Sequence, residues 1–144
     1  MSDVRIIRAG PDDIELARQA VEEIHERHLC DGDALRSFLD DSNCYLLLAL
    51  WADRVVGSLN GFRLRQPHRA KPAFLLYEID VRPDFRNRGV GKTLINSFTT
   101  EARAAGASEV WTVTNMSNAP AMTMYMACGF ARANPDDVML VRPL

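Results

Sequence analysis

The stretch Arg86-Asn87-Arg88-Gly89-Val90-Gly91-Lys92-Thr93 joins a strand-like segment to a helix-like one. A glycine-rich turn entering a helix N-terminus is a generic anion site, because its unpaired N–H groups point outward and the helix dipole favours negative charge there. Gly89 and Gly91 let the backbone approach an oxygen closely, and Arg86, Arg88 and Lys92 add long-range attraction. The chemistry implied is the holding of a phosphate. Gly91-Lys92-Thr93 also looks like the end of a P-loop, but that motif needs a glycine five residues before Gly91, where this chain has Arg86.

Upstream, Glu78 and Asp80 alternate along a strand-like run, so both carboxylates share one face while Ile79 and Val81 take the other. Paired carboxylates can raise each other's pKa, which suits a general base. His25-x-x-His28-x-Cys30 offers donor atoms to a metal, yet one helix would have to supply two ligands and no fourth is evident. It reads as a solvated helix end with no metal. Cys128 has no adjoining histidine, which argues against a cysteine nucleophile.

These groups need elements to position them. Val4 to Arg8 reads as a strand, and Gly10-Pro11-Asp12-Asp13 opens a helix with acids where the dipole favours them. Ile14, Ala17, Val21 and Ile24 keep helical spacing, which predicts a helix to about His28; Asp33 to Leu39 is a second. Cys44–Leu50 and Val55–Leu64 predict a hairpin turning at Trp51-Ala52-Asp53-Arg54, and Ala73–Val81 a third long strand. After the loop 84–91, Leu94, Ile95, Phe98, Ala102 and Ala105 mark the core face of a helix that Gly106 ends. Glu109–Thr114 is strand-like, Asn118 caps a helix closed by Gly129, and Phe130 with Val138–Val141 suggests a closing hairpin. This is a mixed α/β domain built around one sheet.

The chain of 144 residues suits one domain, and a 47% hydrophobic, 25% charged composition is ordinary for a globular protein. The net charge of -2 hides an asymmetry: residues 1–44 hold eleven acids against five bases, while residues 54–92 hold nine bases against three acids. A basic middle suits a phosphate-bearing ligand, and an acidic front suits a cationic one. The longest apolar run, Tyr45 to Ala52, is far too short to cross a bilayer, so no membrane role is expected. The basic loop 65–71 lacks interleaved aromatics, against a nucleic-acid platform. Three widely spaced cysteines, Cys30, Cys44 and Cys128, fit a reducing cytoplasmic setting.

Arg86-x-x-Gly89-x-Gly91 matches the pattern Gln/Arg-x-x-Gly-x-Gly/Ala of the GNAT superfamily of N-acetyltransferases. Asn118-x-x-Ala121-x-x-x-Tyr125-x-x-x-Gly129-Phe130 resembles that family's late motif, and with the strand order the likeness covers nearly the whole chain. Within the superfamily, Phe74-Leu75-Leu76-Tyr77-Glu78-Ile79-Asp80-Val81, Glu109-Val110-Trp111 and Pro135-Asp136-Asp137-Val138-Met139 are similar to type I aminoglycoside 3-N-acetyltransferases. The resemblance implies one GNAT domain over 1–144, with a mixed, mostly antiparallel sheet, helices on both faces and a splay between the fourth and fifth strands. It implies acetyl-coenzyme A as cofactor, held by Ile79, Val81, Arg86, Arg88, Gly89, Val90, Gly91, Lys92, Thr93 and Asn118. Because relatives pair, it also implies a homodimer, for which Met122, Met124 and Met126 are either core or partner surface.

Transfer of an acetyl group to an amine needs a base, since a lysine-like ammonium has a pKa of roughly 10. The resemblance makes Glu78 that base, directly or through water, and Tyr125 the acid for the departing thiolate. The backbone N–H of Val81 would polarise the thioester carbonyl, and Asn118 would bond the pantetheine arm. A strand bulge, usual in the family, would change which of Glu78 and Asp80 faces the acceptor, so the choice between them stays open. Alternative roles are Glu78 pairing with an arginine of 63–71 and Tyr125 packing in the core beside Ala121 and Cys128. A polycationic acceptor such as an aminoglycoside would suit Glu22, Glu23, Glu26, Asp31 and Asp33, with Asp80, Asp136 and Asp137. A peptide or metabolite amine would use the same charges, and a non-catalytic acyl-coenzyme A binding module is the remaining alternative.

Overall fold

The computed structural model describes residues 3–28 and 31–144. Its centre is a five-stranded sheet in sequence order: β1 (Arg5–Arg8), β2 (Cys44–Trp51), β3 (Arg54–Leu64), β4 (Ala73–Val81) and β5 (Glu109–Thr112). The first four strands pair antiparallel, and β5 joins β4 in parallel. The β2–β3 turn places both Ala52 (φ 49°) and Asp53 (φ 62°) in the left-handed region. Its two residues thereby follow the right-handed twist of the strands they join.

Helices cover both faces. On one lie α1 (Ile14–Gln19), a π-helical turn over Ala20–Ile24, and α2 (Gly32–Asp40), packed on Leu46, Leu48, Leu50 and Val55. On the other, α3 (Val90–Ala104) buries Leu94, Ile95, Phe98 and Ala102 against Leu47, Leu59, Phe74 and Leu76, as the sequence periodicity predicts. α4 (Ala119–Ala127) adds Tyr125 to that second core. Both α3 and α4 end in Schellman motifs: Ala107 N–H bonds Ala102 O at 2.9 Å, and Phe130 N–H bonds Tyr125 O at 3.0 Å. Gly106 (φ 76°) and Gly129 (φ 92°) supply the left-handed residue each motif needs.

The structure differs from expectation at three element ends. The helix predicted to reach His28 gives way to a π turn after Gln19 and stops at Ile24. β5 ends at Thr112, two residues short of Thr114, where β4 turns away. No closing hairpin forms at Phe130 and Val138–Val141: Phe130 is spent closing α4, and the chain then bends at Asn134, whose carbonyl accepts from Asp137 N–H at 3.2 Å. Val138–Val141 therefore has no hairpin partner and stands exposed. Among the described residues, no helix is long and apolar enough to cross a membrane.

Candidate active site

The site originates in one extra residue. Gly61 opposes Leu76 and Asn60 opposes Glu78, which leaves Tyr77 unopposed in β4. Such a bulge resets the strand's alternation. Before it, Phe74 and Leu76 face the α3 core; after it, Ile79 and Val81 do, and Glu78 and Asp80 turn to the α1 face. Without the bulge, Glu78 would share the parity of Leu76 and drive a carboxylate into the core. Gly61 accommodates the bulge, since a Cβ there would stand 2.5 Å from Leu75 O and 2.4 Å from the Phe98 ring.

Glu78 is partly shielded, with a side chain 26% exposed. His25 Nδ1 lies 3.4 Å from its Oε1, Arg27 Nη2 lies 3.5 Å from the same oxygen, and Asn60 Nδ2 lies 3.5 Å from Oε2. The arginine beside Glu78 thus comes from the α1–α2 connection rather than from 63–71. His25 is not on a solvated helix end: its side chain is only 2% exposed. The π turn explains this, because its His25 N–H to Ala20 O bond (3.0 Å) adds a residue to the turn and rotates the imidazole inward. Burial lowers the His25 pKa from 6.5, with Glu78 and Asp80 opposing the shift and Arg27 adding to it. His28 is exposed, and Cys30 lies outside the described residues.

The bulge also ends the β4–β5 pairing. The last parallel pair is Leu76 with Thr112, whose Oγ1 donates to Leu76 O at 2.9 Å, and beyond it β5 leaves β4. A cleft of about 1310 Å³ opens there, lined among others by Glu78, Arg27, Thr112, Met122 and Tyr125. Tyr125 is 7% exposed and stacks edge-on with Phe130 at 5.4 Å. Burial raises its pKa above 10.0, against a lowering hydrogen bond with the Thr112 side chain, so the phenol keeps its proton at neutral pH. Cys128, one helical turn on, and Cys44 are both free and have pKa values raised chiefly by burial, so neither is an activated thiolate.

The predicted phosphate loop divides into a short 3-10 turn (Pro83–Phe85), Arg86 to Gly89, and the first turn of α3. Asn87 (φ 60°) and Gly89 (φ 84°) are left-handed, and the N–H groups of 87–92 have no backbone partner among the described residues. A Cβ on Gly89 would meet nothing within 4 Å, whereas one on Gly91 would stand 2.6 Å from Met124 Sδ. Gly89 therefore serves the turn, while Gly91 lets α4 approach α3. Arg88 lies over the Phe85 ring at 5.4 Å, and Thr93 Oγ1 donates to Gly89 O at 2.9 Å.

Three expected cofactor contacts are engaged within the protein. Arg86 Nε donates to Val81 O at 2.9 Å and Nη2 to Asp80 Oδ1 at 3.2 Å. Val81 N–H donates to Asp80 Oδ1 at 2.8 Å. Asn118 caps α4, accepting from Ala121 N–H at 3.2 Å. Of the acids expected to meet an acceptor, Asp137 lines the cleft; Asp136 and Glu26 are exposed outside it. Glu23 pairs with Arg82 at 2.9 Å, and Asp31 caps α2 through Ala34 N–H. His25, Arg27, Asn60 and Thr112 are additions to the site. The i, i+5 turn placing His25 carries no sequence signal, whereas Asn60 is legible as a polar residue inside an apolar strand.

The family profile described as "Acetyltransferase (GNAT) family" matches residues 13–130, and the chain belongs to that family, whose enzymes take the acetyl group from acetyl-CoA. Similar proteins include N-acetyltransferase 8 of Rattus norvegicus, 25% identical over 73% of this chain and 47% of its own length. Streptothricin acetyltransferase of Streptomyces lavendulae is 29% identical over 69% of this chain and 51% of its own. The chain thus spans about half the length of the curated relatives it matches. An aminoglycoside acetyltransferase from an uncultured soil sample, solved in complex with trehalose, shares 25% identity and a TM-score of 0.86 over 99% of this chain and 97% of that one. A second structure of it, in complex with sisomicin, is 23% identical with the same TM-score and coverage.

Proposed function

We propose that this protein is an acetyl-CoA-dependent N-acetyltransferase acting on a primary amine of an aminoglycoside, at its 3-amino group. The observation that carries the reading is that Glu78 and Tyr125 line one cleft, opened where β4 and β5 part. The residues fit the cofactor: the N–H groups of 87–92 have no backbone partner among the described residues, and the open space at Gly89 leaves room for a pyrophosphate. Arg86, Arg88, Val90, Lys92 and Thr93 would surround it, with Ile79, Val81 and Asn118 along the arm. When bound, acetyl-CoA supplies an acetyl thioester. Glu78 accepts the proton that the acceptor's ammonium must lose, and Tyr125 holds at its hydroxyl the proton that the leaving sulfur takes up. The Val81 N–H can meet the carbonyl oxygen once Asp80 releases it.

The 3-amino choice is supported by the likeness of Phe74–Val81, Glu109–Trp111 and Pro135–Met139 to type I 3-N enzymes, and the acceptor class by the acidic front of the chain. Release of free thiol from acetyl-CoA, measured over a panel of sisomicin, gentamicin, peptide N-termini and polyamines, tests both. Turnover with the first two and a product acetylated at the 3-amino nitrogen is expected. Turnover with peptide amines alone would replace the acceptor, and no thiol release with any amine would refute the enzyme.

The homodimer is likewise proposed. Val138, Met139, Leu140 and Val141 are 70% or more exposed in a row, an apolar run that a second copy would cover. Light scattering should give twice the monomer mass, and Leu140→Asp should return a monomer; a monomeric parent protein would refute it.

A further inference from the structure

His25 is a deeply buried titratable side chain whose surroundings the family motifs leave unexplained. Its imidazole is 2% exposed, and neither Nδ1 nor Nε2 has a hydrogen-bond partner among the described residues. A leucine or phenylalanine would fill the same space without stranding two polar atoms, so packing alone is a poor reason for a histidine. Its backbone is held firmly. The π turn over Ala20–Ile24 aims it inward, Arg27 N–H bonds Val21 O at 2.9 Å, and Glu26 between them takes φ 52°. That left-handed step brings Arg27 Nη2 to the same Glu78 oxygen, at 3.5 Å, that His25 Nδ1 approaches at 3.4 Å.

We propose that His25 is a positioning residue for Glu78: its neutral ring donates Nδ1–H to Oε1, fixing the carboxylate so that Oε2 serves as the base. The contact is not yet a hydrogen bond: at 3.4 Å the pair is slightly long and the Nδ1–H is not aimed at Oε1, so the ring must turn toward the carboxylate as it closes. A neutral donor is also the useful one. An imidazolium at that distance would form a full ion pair with Glu78 and weaken its basicity, whereas a neutral N–H orients it at smaller cost. The charged groups facing His25 are Glu78 and Asp80 from β4 and Arg27 from its own segment. The residues of β3 opposite those acids, Ser58 and Asn60, are uncharged. Burial outweighs the two carboxylates and favours the neutral ring. His25 touches no reacting atom and acts only through Glu78.

The inference rests on Glu78 as the base, and the test separates the two. With acetyl-CoA and sisomicin, Glu78→Gln should abolish most turnover. His25→Leu should lower kcat about tenfold with the KM for acetyl-CoA unchanged, a fraction of what a general base contributes. His25→Asn, whose amide N–H can stand where Nδ1–H stood, should recover most of that loss. If Glu78→Gln is inactive and folded while His25→Leu keeps full kcat and the parent pH profile, the positioning role fails and the base stands. Equal losses in His25→Asn and His25→Leu would mark a structural role and overturn it. An active Glu78→Gln refutes both. Should sisomicin not be turned over or the variants not fold, nitrogen-15 NMR of the parent imidazole decides: a neutral ring protonated at Nδ1 supports the proposal, and one protonated at Nε2 ends it.

Discussion

Arg86 Nη2 lies 3.2 Å from Asp80 Oδ1, and the same oxygen accepts the Val81 N–H at 2.8 Å. One carboxylate oxygen therefore occupies both a predicted phosphate ligand and the predicted carbonyl polariser. A pyrophosphate on the loop would compete for Arg86 and leave Asp80 free to move away from Val81, linking cofactor binding to assembly of the site. Arg86→Ala should raise the KM for acetyl-CoA about tenfold at low salt, because an exposed charge–phosphate contact is worth roughly a kcal/mol. Asp80→Ala, which frees Arg86 and Val81 N–H together, should lower that KM and spare kcat more than Glu78→Gln does. An Asp80→Ala enzyme as inactive as Glu78→Gln would move the base to Asp80.

Tyr125→Phe should fold, since the ring keeps its packing on Phe130, and should lose about 100-fold in kcat if the hydroxyl is the acid. The raised phenol pKa makes a second prediction with a definite sign. An acid must be protonated to act, so no loss of rate from Tyr125 should occur until pH passes 10.0. Stopped-flow or steady-state rates between pH 8 and that point check it; an alkaline fall well below it would assign the limb elsewhere.

Much of the fold is legible in the sequence, for physical reasons. The strands and α3 carry strong periodicity, so Ala73–Val81 and the core face from Leu94 to Ala102 fall where the sequence puts them. The same-face placement of Glu78 and Asp80 is legible by alternation, but which face is not, because a bulge at Tyr77 changes parity and its one residue signal, Gly61, lies on the partner strand. The π turn is equally silent: Ala20–Ile24 is ordinary helix former, and only tertiary packing selects i, i+5 bonding. The pairing of Arg86 with Asp80 is silent too, because sequence reports the arginine's charge and not the carboxylate six residues upstream that it bonds.

The bulge itself is testable at Gly61. A Cβ there would collide with Leu75 O, which is backbone and cannot swing away, as well as with Phe98. Gly61→Ala should cost about 2 kcal/mol or more of stability and should lower activity by displacing Glu78. Gly91→Ala collides with Met124 Sδ alone, the flexible part of a side chain, touches Val81 at ordinary contact distance, and should cost about 1 kcal/mol or less. Chemical denaturation of both variants decides; a Gly61→Ala protein as stable as Gly91→Ala would show that the bulge can form without glycine opposite it.

Burial of His25 should also set how the fold responds to acid. A histidine whose folded pKa is below its unfolded value of about 6.5 binds fewer protons when folded, so it contributes stability above that value and loses it as pH falls toward the folded pKa. In that window the unfolding free energy should drop by up to about 1.4 kcal/mol per pH unit from this one group. His25→Asn removes the titration while keeping a polar side chain. Urea midpoints for parent and variant, compared at pH 7 and again at pH 5, should therefore converge on acidification. A parent protein that falls no faster than His25→Asn would mean that the imidazole does not charge on unfolding. That outcome is incompatible with a buried neutral ring behind Glu78.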